Sequence, residues 1–152
     1  MAEYTYNPVQ TVNPNQSVIL NSSIPCTKGY VIHRPESGIL TLRGIVNNSC
    51  NCFTRYQVTF NGNIAIPEGG TPEPIAIALT LGGEPIFTSR AIVTPAAAED
   101  YFNVTSTAII TIPRGCCFNV SVENISESTT PATTPAPQIN VQNANLVVER
   151  IA

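Results

Sequence analysis

The sequence predicts an all-β protein, a sandwich or barrel of about eight to ten antiparallel strands. From Ser17 onward apolar and polar residues alternate with a period of two, most clearly in FTRYQVTF (53–60) and YFNVTSTAIITI (101–112). Thirteen prolines and nine glycines separate these runs and favour tight turns over helices. The segment PAAAEDYF (95–102) is the one candidate helix, of one or two turns.

Each predicted strand is bounded by turn residues, among them NNSCNC (47–52), NGN (61–63), GGEP (82–85) and PRG (113–115). The segment IAIPEGGTPEP after residue 63 is expected to be a loop. In chain order the predicted strands are SVIL (17–20), YVIHR (30–34), ILTLRGIV (39–46), FTRYQVTF (53–60), IAIALTL (75–81), PIFTSRAIV (85–93), YFNVTSTAIITI (101–112), CCFNVSVEN (116–124), INVQ (139–142) and ANLVVERI (144–151).

A chain of 152 residues is long enough for one domain with its own core. We expect that domain to span residues 17–152. Residues 1–16 are broken at Pro8 and Pro14 and are expected to form an extended arm. The Thr/Pro-rich segment 126–137 is expected to be an exposed loop.

The charge pattern excludes some classes of function. Charged residues make up 11% of the chain, the net charge is −3, and the seven basic residues are scattered singly, so nucleic-acid binding is not expected. No apolar run approaches the length of a membrane-spanning helix. The start MAEYTYNPVQ has no basic region followed by an apolar one, and therefore does not predict a secretory signal.

Catalysis is not predicted. Acyl transfer by a serine nucleophile needs a base and an orienting acid within hydrogen-bond reach. The chain has one histidine, His33, and one aspartate, Asp100, and no serine lies in a nucleophile elbow. The glycine pairs lack the lysine and the helix of a phosphate-binding loop. We therefore predict that the protein is not an enzyme and uses no cofactor.

Five cysteines, Cys26, Cys50, Cys52, Cys116 and Cys117, leave three interpretations open. A zinc site is disfavoured because paired zinc ligands usually have two to four residues between them, and we predict no metal. A disulfide could join the 50/52 pair to the 116/117 pair, or involve Cys26. The thiols could instead be small apolar fillers. An odd count leaves at least one thiol unpaired within the chain. Adjacent strand residues point to opposite faces, so Cys116 and Cys117 cannot easily chelate together.

The second half of the chain resembles a known family. It runs through ALTLGGEPI, FNVTSTAIITI, PRG, FNVSVEN and NANLVVERI. Over residues 39–152 this order resembles the trimeric jelly roll of the tumour-necrosis-factor/complement superfamily. It is similar to the compact bacterial and phage versions, such as the C-terminal domains of collagen-like exosporium glycoproteins. Those end in an Ala-x-Leu-x-Val-x-Arg strand, here Ala144, Leu146, Val148 and Arg150. The chain has no Gly-X-Y stalk before the domain, unlike the spore filament proteins.

The resemblance implies a homotrimer in which apolar residues are divided between the monomer core and a threefold interface. The candidates for these two roles are Tyr56, Val58, Phe60, Phe102, Val104, Phe118 and Val120. It also implies a non-enzymatic structural protein of a bacteriophage virion surface, a capsid decoration or head-fibre component. Residues 1–16 would contact the capsid or another surface-layer protein. The alternatives are a bacterial spore- or cell-surface subunit, and a receptor- or carbohydrate-binding fibre tip, for which clustered aromatics would be expected.

Overall fold

The computed structural model describes residues 1–44, 50–128 and 135–151, and within them the chain is a jelly-roll sandwich of two antiparallel sheets. One short 3-10 helix, Phe87–Ser89, accompanies the strands. The strands are β1 (Ala2–Tyr6), β2 (Gln10–Val12), β3 (Asn21–Ile24), β4 (Val31–His33), β5 (Leu40–Arg43), β6 (Phe53–Ala65), β7 (Ile75–Leu81), β8 (Glu84–Pro85), β9 (Ala91–Val93), β10 (Phe102–Pro113), β11 (Cys117–Asn124) and β12 (Ile139–Arg150).

The first sheet has the order β10-β6-β12-β1-β3, with β2 also paired to β12. Its longest pairing joins β6 and β10, which run in continuous register from Phe53 opposite Pro113 to Ile64 opposite Phe102. Side chains alternate between the two faces of a strand, so even-numbered residues of β6 and β10 point into the sandwich. Odd-numbered residues form the outer face.

The second sheet has the order β4-β5-β11-β7-β8, with β9 also paired to β7. Strands β7 and β8 are joined by a two-residue turn in which Gly82 and Gly83 both have positive φ, at 60° and 85°. This is the type I′ geometry that matches strand twist and that glycine adopts without strain. The predicted turn is therefore confirmed at Gly82-Gly83, while Glu84–Pro85 belong to strand β8.

One apolar core lies between the sheets. Tyr4, Tyr56 and Phe60 are its largest fully buried side chains, with Leu20 and Ile112 among those that pack around them. The sheets contribute to it in the expected alternation, as in β6, where Thr54, Tyr56 and Val58 are buried and their neighbours are exposed. The predicted two-sheet architecture is confirmed.

The N-terminal segment differs from the predicted arm. Residues 2–6 form β1, which pairs along its whole length with β12 from Ala2 opposite Val148 to Tyr6 opposite Ala144. Tyr4 is 2% exposed. The alternation in MAEYTY was a true strand signal, and the prolines that suggested an arm lie in the connections around β2. The arm prediction is wrong for β1 and β2.

Several other predictions of secondary structure are corrected. The loop expected from residue 64 begins only after Ala65, and the strands expected at 139–142 and 144–151 form the single strand β12. The NGN sequence at 61–63 lies inside β6, because β10 and β12 pair with it on both sides. Residues 95–101 form bends and turns without a helix, and Glu99 has a φ of 61°. The strand expected at 85–93 is interrupted by the 3-10 helix. The strand expected at 17–20 makes only isolated bridges at Ser17 and Leu20. The predicted strand end at 45–46 lies outside the described residues.

The predicted exposed loop at 126–137 is corrected at its start. Ser126 is 6% exposed, and its hydroxyl accepts a hydrogen bond from the backbone N–H of Ala76 at 2.9 Å. Residues 129–134 of that loop lie outside the described residues. Where the structure describes the chain, no helix is long and apolar enough to cross a membrane.

Ionisation of buried tyrosines is expected to lower the stability of the fold at alkaline pH. Burial raises the pKa of Tyr56 to about 12, and its hydroxyl donates to the carbonyl of Arg43 at 2.6 Å. Because the folded pKa lies above the ordinary value, the stabilisation is complete below pH 10 and is lost as pH rises toward about 12. We expect the free energy of unfolding in urea to fall between pH 10 and about 12 in the unmodified chain, and to fall less in Tyr56→Phe. The exposed Tyr101→Phe is the matched control, and an unchanged slope in Tyr56→Phe would contradict the assignment.

Candidate functional site

A group of exposed apolar side chains follows one edge of the sandwich. Strand β10 is the edge strand of the first sheet, and the 3-10 helix packs beside it. Phe87 in that helix is 66% exposed, Ile109 on β10 is 64% exposed, and Phe102 at the start of β10 is 41% exposed. With the neighbouring Tyr101, these residues form what we call the apolar edge. Ile109, at an odd position, faces outward, whereas Phe102, at an even position, lies at the start of the strand on its other side. Exposed apolar side chains along one strand can mark an interaction surface.

The local structure holds the apolar edge in place. The hydroxyl of Ser89 is buried and donates to the carbonyl of Ile86 at 2.6 Å, and it accepts from the backbone N–H of Leu79 at 3.0 Å. The hydroxyl of Ser106 on β10 donates to the carbonyl of Ser89. The 3-10 helix is thus tied to both sheets, so Phe87 is presented by a fixed element.

The part of the outer face that β6 and β10 form beside this edge carries mostly polar side chains, with Arg55 at one end. The side-chain amide of Asn103 donates to Oδ1 of Asn61 at 2.9 Å and to Oδ1 of Asn63 at 3.1 Å. Below them the hydroxyls of Thr59 and Thr107 lie 3.0 Å apart. These contacts join side chains of β6 to side chains of β10 across the outer face.

Ile109 lies on this outer face, and Phe87 lies in the 3-10 helix beside β10, so the apolar edge borders polar side chains of different chemistry. A contact between two different surfaces of identical chains is heterologous, and it closes into a ring when the rotation between copies allows. A homodimer about a twofold axis would instead need one self-complementary patch. The arrangement can therefore support cyclic self-association of more than two copies.

The residues predicted to divide between core and interface do so unevenly. Phe102 is the most exposed of them and belongs to the apolar edge, while Phe118 is partly buried against the core. Five are buried within the monomer, namely Tyr56, Val58, Phe60, Val104 and Val120. Sequence reasoning missed Phe87 and Ile109. A signal for Ile109 existed, since AIIT in β10 places two isoleucines in succession and one of them must face outward.

Four of the cysteines lie at one end of the sandwich. The backbone N–H of Arg114 donates to the carbonyl of Cys52 at 2.9 Å, and that of Gly44 donates to the carbonyl of Cys116 at 2.8 Å. The first contact joins the 50–52 loop to the 114–117 turn, and the second joins that turn to the end of β5. We call this end of the sandwich the thiol tip. Its four cysteines are exposed and unbridged, namely Cys50, Cys52, Cys116 and Cys117.

Cys26 differs from the thiol tip because it is partly buried and packs against the core. Burial raises the pKa of its thiol, but hydrogen bonds from the backbone at Val31, Lys28 and Tyr30 outweigh this, and the pKa lies below its usual value. Where the structure describes the chain, no group of three His, Cys, Asp or Glu residues is placed to hold a metal ion.

The thiol tip predicts a disulfide under oxidising conditions. We expect oxidised glutathione to form one bridge between the 50/52 pair and the 116/117 pair, because these loops are hydrogen-bonded neighbours. Alkylation followed by mass spectrometry would then label three thiols in the oxidised chain and five after reduction. Peptide mapping should place Cys26 among the labelled thiols. Labelling of all five thiols after oxidation would show the prediction to be wrong.

His33 is engaged in structural contacts. Its Nε2 lies 2.8 Å from the carbonyl of Ser37, its Nδ1 lies 3.3 Å from the hydroxyl of Ser22, and its ring packs on Tyr4 with centroids 4.7 Å apart. The carbonyl can only accept, so Nε2 carries the proton and Nδ1 accepts from Ser22. Among the described residues no carboxylate hydrogen-bonds to the ring, so the acid of a catalytic triad has no counterpart there.

Comparison with known proteins gives a fold. No family model and no curated protein matches the chain. The globular domain of zebrafish complement 1qA protein superposes with a TM-score of 0.50 at 13% identity, over 96% of this chain and 94% of that one. At this identity the likeness establishes the jelly-roll fold of the complement type and nothing about function.

Two sugar-binding domains are more distant. The EclA C-terminal domain, a sugar-binding protein, gives a TM-score of 0.41 at 13% identity over 95% of this chain and 79% of that one. The CBM22-1 xylan-binding domain from Paenibacillus barcinonensis Xyn10C gives 0.35 at 8% identity, over 99% and 87%. Both scores are too low to support an argument.

Proposed function

We propose that the protein is a non-enzymatic structural protein that assembles as a homotrimer on the surface of a larger particle, and that this particle is a bacteriophage virion. The observation that carries the proposal is the apolar edge. Phe87 and Ile109 are each about two-thirds exposed. Phe87 is presented by the anchored 3-10 helix, and Ile109 lies on the outer sheet face among polar side chains. Covering this edge with the polar face of the next copy removes the apolar side chains from water, which is the main favourable term in protein association.

The fold supports this role. The described core lies between the two sheets of one chain, which allows a copy to fold before it associates through its surface. With 11% charged residues the chain offers little electrostatic repulsion between copies. Among the described residues, His33 is engaged in structural contacts with Ser22, Ser37 and Tyr4.

We propose that the loop between β1 and β2 contacts the capsid or another surface-layer protein. The sequence predicts this contact for residues 1–16, but β1 and β2 within that segment pair with β12 in the first sheet. Asn7, Pro8 and Val9 remain exposed, Val9 by 48%. This loop is the part of the segment that can reach a partner without unpairing a strand.

Light scattering of the purified chain tests the assembly. Three chains of 16.2 kDa should give a mass of about 49 kDa at micromolar concentration. Mass spectrometry of purified particles from the producing culture tests the location. Detection in a virion fraction supports the proposal, whereas confinement to spores or cell envelopes assigns the same assembly to a bacterial surface. A stable monomer would overturn the trimer.

A further inference from the structure

Five of the seven basic residues gather at one end of the sandwich, although they are scattered along the sequence. This is the end that carries the thiol tip. The pairing of β5 with β11 places Arg43 opposite Cys117, and Arg114 follows β10 in the turn that contacts Cys52. The start of β6 and the end of β12 contribute two more arginines, and a lysine lines a cavity with one of them. We call this surface the basic end, and its cations are Lys28, Arg43, Arg55, Arg114 and Arg150.

Five carboxylates gather at the opposite end of the sandwich. The 13-residue strand β6 runs between the two ends, so they are separated by about 40 Å at about 3.3 Å per residue. Two of the carboxylates lie between β6 and β7, and one follows β11. The other two precede β10, where the backbone N–H of Glu99 donates to the carbonyl of Ile66 at 2.8 Å. We call this surface the acidic end, and its anions are Glu68, Glu73, Glu99, Asp100 and Glu127.

The other charged residues weaken this separation of charge without cancelling it. Three carboxylates lie in the half of the sandwich nearer the basic end, where Glu149 is opposite Gln57, and they reduce its positive charge to a smaller surplus. The acidic end gains Glu123 near the end of β11, and one cation, Arg90, lines a groove beside it. Residues 45–49, 129–134 and 152 carry no charged side chain and so do not alter the balance. The three carboxylates nearer the basic end are Glu3, Glu84 and Glu149.

We propose that copies of the chain associate head to tail, with the basic end of one copy against the acidic end of the next. A second copy is the one partner that complements both ends at once, because each end carries the charge that the other lacks. A contact between two different surfaces that does not close into a ring extends into a linear stack. The two ends are different surfaces from the apolar edge. The inference holds for a single copy and does not depend on the trimer.

Light scattering of the full chain at two salt concentrations tests the proposal. Charges attract over about 30 Å in about 10 mM NaCl but only over about 3 Å in about 1 M NaCl. We expect the mean mass at low salt to be at least about twice the mean mass at high salt. The mass at high salt reports the trimer alone, so the two proposals fail separately. An equal or larger mass at high salt would overturn head-to-tail association.

Two variants neutralise one end each. Lys28→Gln/Arg43→Gln weakens the basic end and Glu68→Gln/Asp100→Asn weakens the acidic end, and all four side chains are exposed, so the fold should be retained. Neither variant alone should gain mass at low salt. Their mixture should gain mass, because the intact acidic end of the first variant meets the intact basic end of the second. The control Arg34→Gln/Glu36→Gln, away from both ends, should behave like the unmodified chain.

The mixture separates association through the ends from a general effect of charge. If each variant alone still gains mass at low salt, the ends are not the contact. If the mixture gains no mass while both variants keep the melting temperature of the unmodified chain, the ends do not meet each other. Binding of polyglutamate by a chain whose mass is independent of salt would assign the basic end to an anionic partner and would also overturn the proposal.

Discussion

The double variant Phe87→Asp/Ile109→Asp is expected to convert a trimer of about 49 kDa into a monomer of 16.2 kDa in light scattering. Both side chains are about two-thirds exposed in the monomer, so the substitutions remove little of its core. Burying a Phe or Ile side chain stabilises an interface by roughly 1.5–3 kcal/mol, and a cyclic trimer contains three copies of each contact. A carboxylate in the same place must be desolvated without a partner, which adds to the loss.

The matched control is Ile32→Asp/Ile39→Asp. These isoleucines are 50% and 51% exposed, and they lie on and next to strands β4 and β5, at the other side of the second sheet. The control should remain a trimer with an unchanged melting temperature. If both double variants keep the trimer, the apolar edge is not the interface. If both lose it, the effect is one of net charge and not of position.

Most of the residues predicted to divide between the core and the trimer interface lie in the core, and strand alternation explains why. Tyr56, Val58 and Phe60 lie on even-numbered positions of β6, and all even positions of that strand point into the sandwich. Alternation identifies which residues share a face, but it cannot tell which face meets the second sheet and which meets another chain. Exposure at the edge of the sandwich depends on how the sheets pack, and this information is absent from a single strand.

The sequence predicted best where local signals and long-range pairing agree. β10, β11 and the Gly82-Gly83 turn follow directly from alternation and turn chemistry. β1 was missed because its partner β12 is about 140 residues away in sequence, and no local pattern records that pairing. Gly62 was taken as part of a turn although it lies within β6.

Gly62 has a packing role that its turn-like neighbours conceal. A Cβ added there would lie 2.9 Å from Cζ of Phe60, so the aromatic ring occupies the space that a side chain would need. Asn61 and Asn63 face outward and hydrogen-bond to Asn103 across the strand pair. Residues that favour turns are thus retained in a central strand by close packing on one face and by amide contacts on the other.

The variant Asn124→Ala is expected to lower the free energy of unfolding by about 3–5 kcal/mol, summed over the hydrogen bonds that it leaves unmade. Asn124 is fully buried at the end of β11. Its Nδ2 donates to the carbonyls of Val12 at 3.1 Å and of Pro137 at 3.0 Å, and its Oδ1 accepts from the backbone N–H of Ser126 at 3.0 Å. One side chain therefore joins three separate segments at one end of the sandwich.

Urea unfolding at pH 7 measures the effect, and Asn119→Ala is the matched control. Asn119 lies on the same strand but is exposed, and its Oδ1 accepts one hydrogen bond from Thr41 at 2.9 Å. Its loss should cost about 1 kcal/mol or less because water replaces the partner. Alanine at position 124 removes the amide from the buried carbonyl of Val12, the part-buried carbonyl of Pro137 and the buried N–H of Ser126, where water replaces it poorly. Equal stabilities of the two alanine variants would show that Asn124 does not hold this end of the sandwich together.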